Sequence, residues 1–183
     1  MVNRYDIRLC GYGGQGIILA GYLVGQAASI FEHKNAVFTL DYGPEARGGA
    51  CRADVVVSEA PVRYPYIDTP SILVAMSQQA YDKYCPETPQ NTLVIIDKDL
   101  VKPGRMKGRK LLAVPPRRIA EELGRVAVAN VVMLGFLTAA TNIVSAEAMK
   151  KSILTSVPKG TEELNSKAFE RGYAYGLGKF GSL

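Results

Sequence analysis

Gly11-Tyr12-Gly13-Gly14-Gln15-Gly16 stands between a short apolar run, residues 7–10, and a long one, residues 17–31. A strand that ends in closely spaced glycines and opens into a helix brings bare backbone N–H groups to the helix N-terminus, where they can hold a phosphate or another anion. The same glycines also suit a tight turn that lets strand and helix pack closely with no ligand. The GxGxxG spacing alone leaves both readings open.

Outward from that turn, the second apolar run, residues 36–40, ends in Asp41. A dinucleotide site places an acidic residue roughly 20 residues past the glycines to hold the ribose hydroxyls, and Asp41 meets that requirement. Asp41 leads, however, into a second glycine-rich loop, Tyr42-Gly43-Pro44-Glu45-Ala46-Arg47-Gly48-Gly49-Ala50-Cys51, carrying a carboxylate and a guanidinium. A plain dinucleotide site does not need that loop.

Strand and helix signals alternate over the first two thirds of the chain. Strands are predicted at residues 5–10, 36–40, 52–58, 71–75, 92–97 and 110–114, several rich in valine and isoleucine. Helices are predicted at residues 16–31, where Gly21 and Gly25 let a strand come close, and at 77–83. Pro116 suits the first turn of a further helix through residues 120–123, stopped by Gly124. The remainder reads as all-helical: 126–140 apolar nearly all round, 146–154 amphipathic, and 161–175 starting from a Thr161 N-cap with glutamates in its first turn. This pattern predicts an α/β fold, a mostly parallel Rossmann-like sheet with helices on both faces and a helical C-terminal third.

The 183 residues, 48% of them hydrophobic, are expected to form one domain over residues 1–183 with a sizeable core. The apolar stretch 126–140 is interrupted by Asn130 and is short for a bilayer, so no membrane association is expected. The N-terminus lacks the basic, apolar, small-residue order of a secretion signal, which points to the cytoplasm. Cys10, Cys51 and Cys85 are far apart and His33 is the single histidine, too few ligands for a zinc site or an iron–sulfur cluster. Cys10 and Cys51, beside apolar runs, are expected to be buried. Cys85, followed by Pro86, is the candidate for exposure, with Lys83 as its one basic neighbour in sequence.

The net charge of +5 is concentrated in Lys98, Lys102, Arg105, Lys107, Arg109, Lys110, Arg117 and Arg118. Such a segment fits an acidic protein, a phosphorylated cofactor or a solvated loop. No aromatic residues interleave these charges to stack bases, which argues against nucleic acid; a steep fall of affinity with salt would reveal it. The chain lacks a GxSxG elbow and a P-loop, and His33, flanked by Glu32 and Lys34, reads as a surface residue. Nothing pairs Asp41 or Glu45 at an acid–base spacing, so no catalytic residue is assigned.

Gly11-Tyr12-Gly13-Gly14-Gln15-Gly16-Ile17, then Tyr42-Gly43-Pro44-Glu45-Ala46-Arg47-Gly48-Gly49, then Cys51-Arg52-Ala53-Asp54-Val55-Val56-Val57-Ser58, occur in an order that resembles the gamma subunit of 2-oxoacid:ferredoxin oxidoreductases. Asn130-Val131-Val132-Met133-Leu134-Gly135 extends the resemblance to nearly the whole chain. It implies a multisubunit enzyme that decarboxylates a 2-oxoacid, forms an acyl-coenzyme A and passes two electrons to ferredoxin. It also implies that thiamine diphosphate and the iron–sulfur clusters sit on alpha, beta and ferredoxin-like delta partners. This subunit would then be non-catalytic, inactive when isolated, and a candidate for helping to bind coenzyme A.

The residues expected to meet coenzyme A are Gly11, Gly13, Gly14, Gln15 and Gly16 of the first turn, and Glu45, Arg47, Gly48 and Gly49 of the second, with Arg47 as charge partner or interface salt bridge. Asn130 is expected to hydrogen-bond the nearby loop or satisfy a buried backbone group. Tyr64-Pro65-Tyr66-Ile67 offers aromatic surface for a partner, or a capped sheet edge. Exposed docking surface also favours a homodimer when the partners are missing. The length of the free-standing chain points to 2-oxoglutarate as the oxoacid. The alternative from the residues alone is a stand-alone oxidoreductase that binds NAD through Asp41.

Overall fold

Valine- and isoleucine-rich runs punctuated by glycine, proline and serine build the sheet, and the computed structural model describes residues 4–42, 49–104 and 108–180. β1 (Arg4–Tyr12) leads through the glycine turn into α1 (Ile17–Gln26), which widens into one π-helical turn (Ala27–Phe31) before β2 (Asn35–Asp41). Then come β3 (Ala50–Ser58), β4 (Ile72–Ala75), α2 (Gln78–Tyr84), β5 (Leu93–Asp97) and β6 (Lys110–Val114). The C-terminal third comprises α3 (Pro116–Glu122), a 3₁₀ turn (Val126–Val128), α4 (Ala129–Thr141), α5 (Ala146–Ser156) and α6 (Glu162–Phe180). Each expected strand and helix is present. The expected helix over 126–140 is divided between the 3₁₀ turn and α4, and Thr161 turns its hydroxyl to the Pro158 carbonyl at 2.7 Å.

The strands form one sheet in the order β2-β3-β1-β4-β5-β6. β1, β4, β5 and β6 pair in parallel, while β3 runs antiparallel to both β1 and β2. The cause is connection length. A parallel crossover takes a dozen or more residues, and only residues 42–49 join β2 to β3. Five strands therefore share one direction and end at one carboxyl edge.

Side chains alternate across the sheet, and the two faces carry unequal layers. Ile7 and Leu9 of β1, Ala53, Val55 and Val57 of β3, Val74 of β4 and Ile95 of β5 meet α1 and α3 to α6. On the opposite face, Cys10, Leu73, Ala75, Val94 and Ile96 meet Ala80, Tyr81 and Tyr84 of α2. Close approach on the larger layer depends on small residues. A Cβ on Gly21 would come within 2.6 Å of the Ala53 Cβ, whereas Gly25 has ordinary room at 3.8 Å from Val55. α4 and α6 touch backbone to backbone, because a Cβ on Gly135 or Gly172 would strike the carbonyl of Phe169 or Val132.

On the α2 face, the β1–β3 register sets Arg8 opposite Asp54. Their side chains, 3% and 6% exposed, form a bidentate pair with Arg8 Nε and Nη2 donating to the two Asp54 oxygens at 2.8 Å each. Arg8 Nη2 also donates to the Ile67 carbonyl at 2.7 Å, and the guanidinium lies 5.7 Å from the Tyr84 ring centroid. The pair thereby fastens the β3–β4 connection to the sheet. Asp54→Ala leaves a buried guanidinium unpaired and should cost about 3–5 kcal/mol in denaturant unfolding. The double variant Arg8→Met/Asp54→Leu should recover most of that loss, and an equal loss in both would mean that the ion pair is not what governs the region.

Candidate functional site

The turn after β1 is held by its own backbone and by one carboxamide. Gly13 N–H donates to the Gly49 carbonyl at 3.3 Å and Gln15 N–H to the Tyr12 carbonyl at 3.2 Å. Gln15 Oε1 accepts from Tyr12 N–H at 2.9 Å while Nε2 donates to the Met76 carbonyl at 2.7 Å, tying the turn to the end of β4. The expected side-chain contact between Gln15 and an anion is therefore replaced by an internal strap. Among the described residues, the amides of Gly14 and Gly16 have no hydrogen-bond partner, whereas those of Gly13 and Gln15 are engaged. Gly11 lies within β1, packed against Gln15 and Ile17.

Gly16 has φ +73, a conformation that glycine adopts without strain. It precedes α1 with no side-chain cap, unlike Ser77 of α2 and Ser145 of α5, which accept from Ala80 N–H and Ala148 N–H. The first-turn amides of α1 have no carbonyl one turn back, and the positive end of the helix dipole opens beside the turn. Asn130, at the start of α4, donates from Nδ2 to the Gly16 carbonyl at 3.2 Å and accepts Val131 N–H at 2.9 Å. It satisfies a backbone group and blocks any side chain at residue 16, since a Cβ there would collide with its carboxamide.

Next to the turn lies a cavity of about 100 Å³, lined by Tyr12, Gly14 and Gln15, by Met76 after β4, by Asp97 at the end of β5, by Arg117 of α3, and by residues of the 3₁₀ turn and the start of α4. Asp97 follows Leu93 and Ile95 in strand alternation and so projects from the α1 face. It is 1% exposed. Its Oδ1 accepts Asp99 N–H at 2.9 Å, and its Oδ2 has no hydrogen-bond partner among the described residues. Burial first, and the charge of Asp99 in addition, raise its carboxyl above the ordinary aspartate range, against the amides of Asp99 and Leu100 and the charge of Arg117. Arg117 stands exposed at the rim, its Nε donating to Glu121 at 2.9 Å.

Asp41 belongs elsewhere. Ala36 and Phe38 of β2 pack on the α1 face, so alternation turns Asp41 to the opposite face, where Arg52 Nε lies 3.7 Å from its Oδ2. Asp97, not Asp41, lines the cavity beside the glycine turn, so the geometry does not support a route to NAD through Asp41. Glu45, Arg47 and Gly48 lie outside the described residues; Gly49 is buried and serves the turn through its carbonyl.

Other expectations are redirected by packing. Cys10 and Cys51 are buried as expected, but Cys85 is buried too, at 2% exposure, with Arg109 rather than Lys83 reaching its sulfur. Arg109, the residue before β6, also donates from Nη2 to the Thr88 carbonyl at 2.6 Å. Part of the basic segment is paired within the chain in the same way: Arg118 pairs with Asp99 at 2.6 Å and Lys98 lies 5.9 Å from the Tyr175 ring, while Arg105 and Lys107 lie outside the described residues. Tyr64 and Tyr66 are exposed, edge to face at 5.7 Å, above a polar cavity of about 290 Å³ that includes Thr39, Arg52, Asp54 and Asp68. No helix among the described residues is long and apolar enough to cross a membrane. Reading by sequence motif did not single out Asp97, which ends an ordinary strand, and took Arg117 only as part of a charged run; their meeting at one cavity is a product of strand order.

A mostly parallel sheet with a glycine turn at its carboxyl edge and helices on both faces defines an α/β domain of Rossmann-like form. The chain belongs to the pyruvate ferredoxin/flavodoxin oxidoreductase family, whose family model matches residues 6–175. It is 53% identical over 173 residues to the 2-oxoglutarate synthase subunit KorC of Methanocaldococcus jannaschii, covering 93% of this chain and 92% of that one. The keto/oxoacid ferredoxin oxidoreductase gamma subunit of Geobacter sulfurreducens PCA has the same fold, with TM-score 0.85 and 39% identity over 96% of this chain and 98% of its own. The 2-oxoglutarate:ferredoxin oxidoreductase of Magnetococcus marinus, solved with 2-oxoglutarate, coenzyme A and succinyl-CoA bound, shares the fold at TM-score 0.87 and 23% identity, over 96% of this chain and 31% of its own.

Asp97 supplies a test of the site's energetics. Its folded-state pKa lies above its unfolded value, so ionisation destabilises the folded chain. The penalty is complete above the folded pKa and disappears below the unfolded one. Asp97→Asn keeps an acceptor for Asp99 N–H without the charge. It should raise the melting temperature at neutral pH, and the gain should shrink near the ordinary aspartate value of about 3.9. A gain that is constant with pH would show that charge burial is not its source.

Proposed function

We propose that this chain is the gamma subunit of a 2-oxoglutarate:ferredoxin oxidoreductase, a structural and cofactor-binding component of an enzyme completed by other chains. The observation that carries this reading is the 53% identity, along 93% of the chain, to a 2-oxoglutarate synthase subunit. In this reading thiamine diphosphate and the iron–sulfur clusters belong to the alpha, beta and ferredoxin-like delta partners. The oxoacid is decarboxylated there, and its acyl group passes to coenzyme A. The assembled enzyme works in the cytoplasm, and residues 1–183 act as one domain.

Coenzyme A suits the site beside α1. Its phosphates match the amides of Gly14 and Gly16, the positive end of α1 and the rim guanidinium of Arg117. When bound, it supplies the thiol that accepts the acyl group; this chain holds and orients the phosphorylated end. Gln15 and Asn130 contribute by shaping the turn. The Magnetococcus chain has the same fold within a polypeptide about three times longer, which joins it covalently to its neighbours; as a subunit, this domain makes the corresponding contact by docking. Tyr64 and Tyr66 are the surface we assign to that docking, since tyrosine is enriched at interfaces.

The purified chain should show no 2-oxoglutarate-dependent reduction of ferredoxin, and adding it to the partner subunits should restore turnover. The double variant Tyr64→Ser/Tyr66→Ser should weaken co-elution with the partners by about tenfold or more, the effect expected of interface aromatic anchors. Unchanged assembly would move the docking surface elsewhere, and NADH-dependent activity of the chain alone would overturn the subunit assignment.

A further inference from the structure

The buried carboxylate in the cavity beside the glycine turn has no partner for one of its oxygens, and the partner it lacks is a hydrogen-bond donor. Asp97 is 1% exposed, its Oδ1 is spent on Asp99 N–H, and its Oδ2 is unpaired among the described residues. An orphaned buried acceptor is expensive in free energy and calls for an explanation. The cavity it lines also contains Gly14 and Gln15 of the turn and Arg117 at the rim. Turn residues, the rim guanidinium and the residue that carries the unpaired acceptor thus line one small space.

We propose that Asp97 is the specificity-determining acceptor of this site, taking a sugar hydroxyl of a ligand whose phosphate sits at the α1 N-terminus. The chemical class is a ribose phosphate, the shared part of nucleotides and nucleotide-derived cofactors. A carboxylate in the cavity repels a bare phosphate driven inward but rewards a ligand that brings an O–H donor beside its phosphate. The volume agrees: about 100 Å³ is smaller than the roughly 150 Å³ cavity that admits benzene, so it takes the hydroxyl edge of a pentose and leaves a base ring outside. In other glycine-turn sites an acidic residue at a strand end holds the ribose hydroxyls. Here β5 supplies that residue, because alternation turns Asp41 of β2 to the opposite face.

The inference rests on reading the glycine turn as an anion site, and the test separates the two. Full chain, native and Asp97→Asn, is titrated calorimetrically with AMP, 2′,3′-dideoxy-AMP and inorganic phosphate. A hydrogen bond to a buried charged acceptor predicts that the native chain prefers AMP over the dideoxy compound by about tenfold. Asp97→Asn should reduce that preference to within about twofold by weakening AMP, with the dideoxy compound and phosphate bound as tightly as before or more tightly, because the repelling charge is gone. Because the preference is also read from the ligand side in the native chain, it does not depend on the variant's stability. An equal effect on both nucleotides, tighter AMP binding in the variant, or no native preference would overturn the role of Asp97 while leaving the anion site standing. Failure of all three ligands to bind would overturn the anion site and, with it, this inference.

Discussion

The carboxamide of Gln15 holds the carboxyl edge together. By accepting from the Tyr12 amide and donating to the Met76 carbonyl, it sets the glycine turn against the end of β4 and keeps its own amide and that of Gly13 occupied within the turn region. What remains without a partner among the described residues is directed by that arrangement: the amides of Gly14 and Gly16, and the uncapped start of α1. Asn130 completes the frame from the far end of the chain by taking the Gly16 carbonyl.

Strand direction supplies the second constraint. With β1, β4 and β5 parallel and adjacent in the sheet order, the glycine turn, Met76 and Asp97 reach the same edge and line one cavity. β3 alone runs the other way, and its pairing with β1 brings Asp54 opposite Arg8 on the α2 face. The two faces thus divide the polar groups. The α1 face carries the lone carboxylate of Asp97 at the cavity, and the α2 face carries the satisfied Arg8–Asp54 pair beneath the exposed tyrosines. The same division separates the side proposed to meet coenzyme A from the candidate docking side.

The elements themselves were legible from local pattern. Short apolar runs, several of them rich in valine and isoleucine, located the strands, and Pro116 with Gly124 bracketed α3, because periodicity and backbone chemistry act over a few residues. Long-range groupings were not legible. Cys85 looked exposed beside Pro86, yet Arg109, just before β6, reaches its sulfur and α2 buries it. The charged run from Lys98 to Arg118 looked like one surface, yet Arg118 and Lys98 each find a partner within the chain, at Asp99 and on α6. A cation's partner depends on which strand lies alongside, and no local window contains that.

The sequence by itself determined the α/β alternation, the helical C-terminal third, the glycine turn opening α1 and the family, since each is carried by contiguous residues whose conformational preferences are local. Only the tertiary structure decided which acidic residue faces the turn. Asp41 and Asp97 both end apolar strands and are equivalent in sequence, but side chains alternate across a sheet whose order is β2-β3-β1-β4-β5-β6. That order and alternation place Asp97 on the face of α1 and Asp41 behind it, beside Arg52.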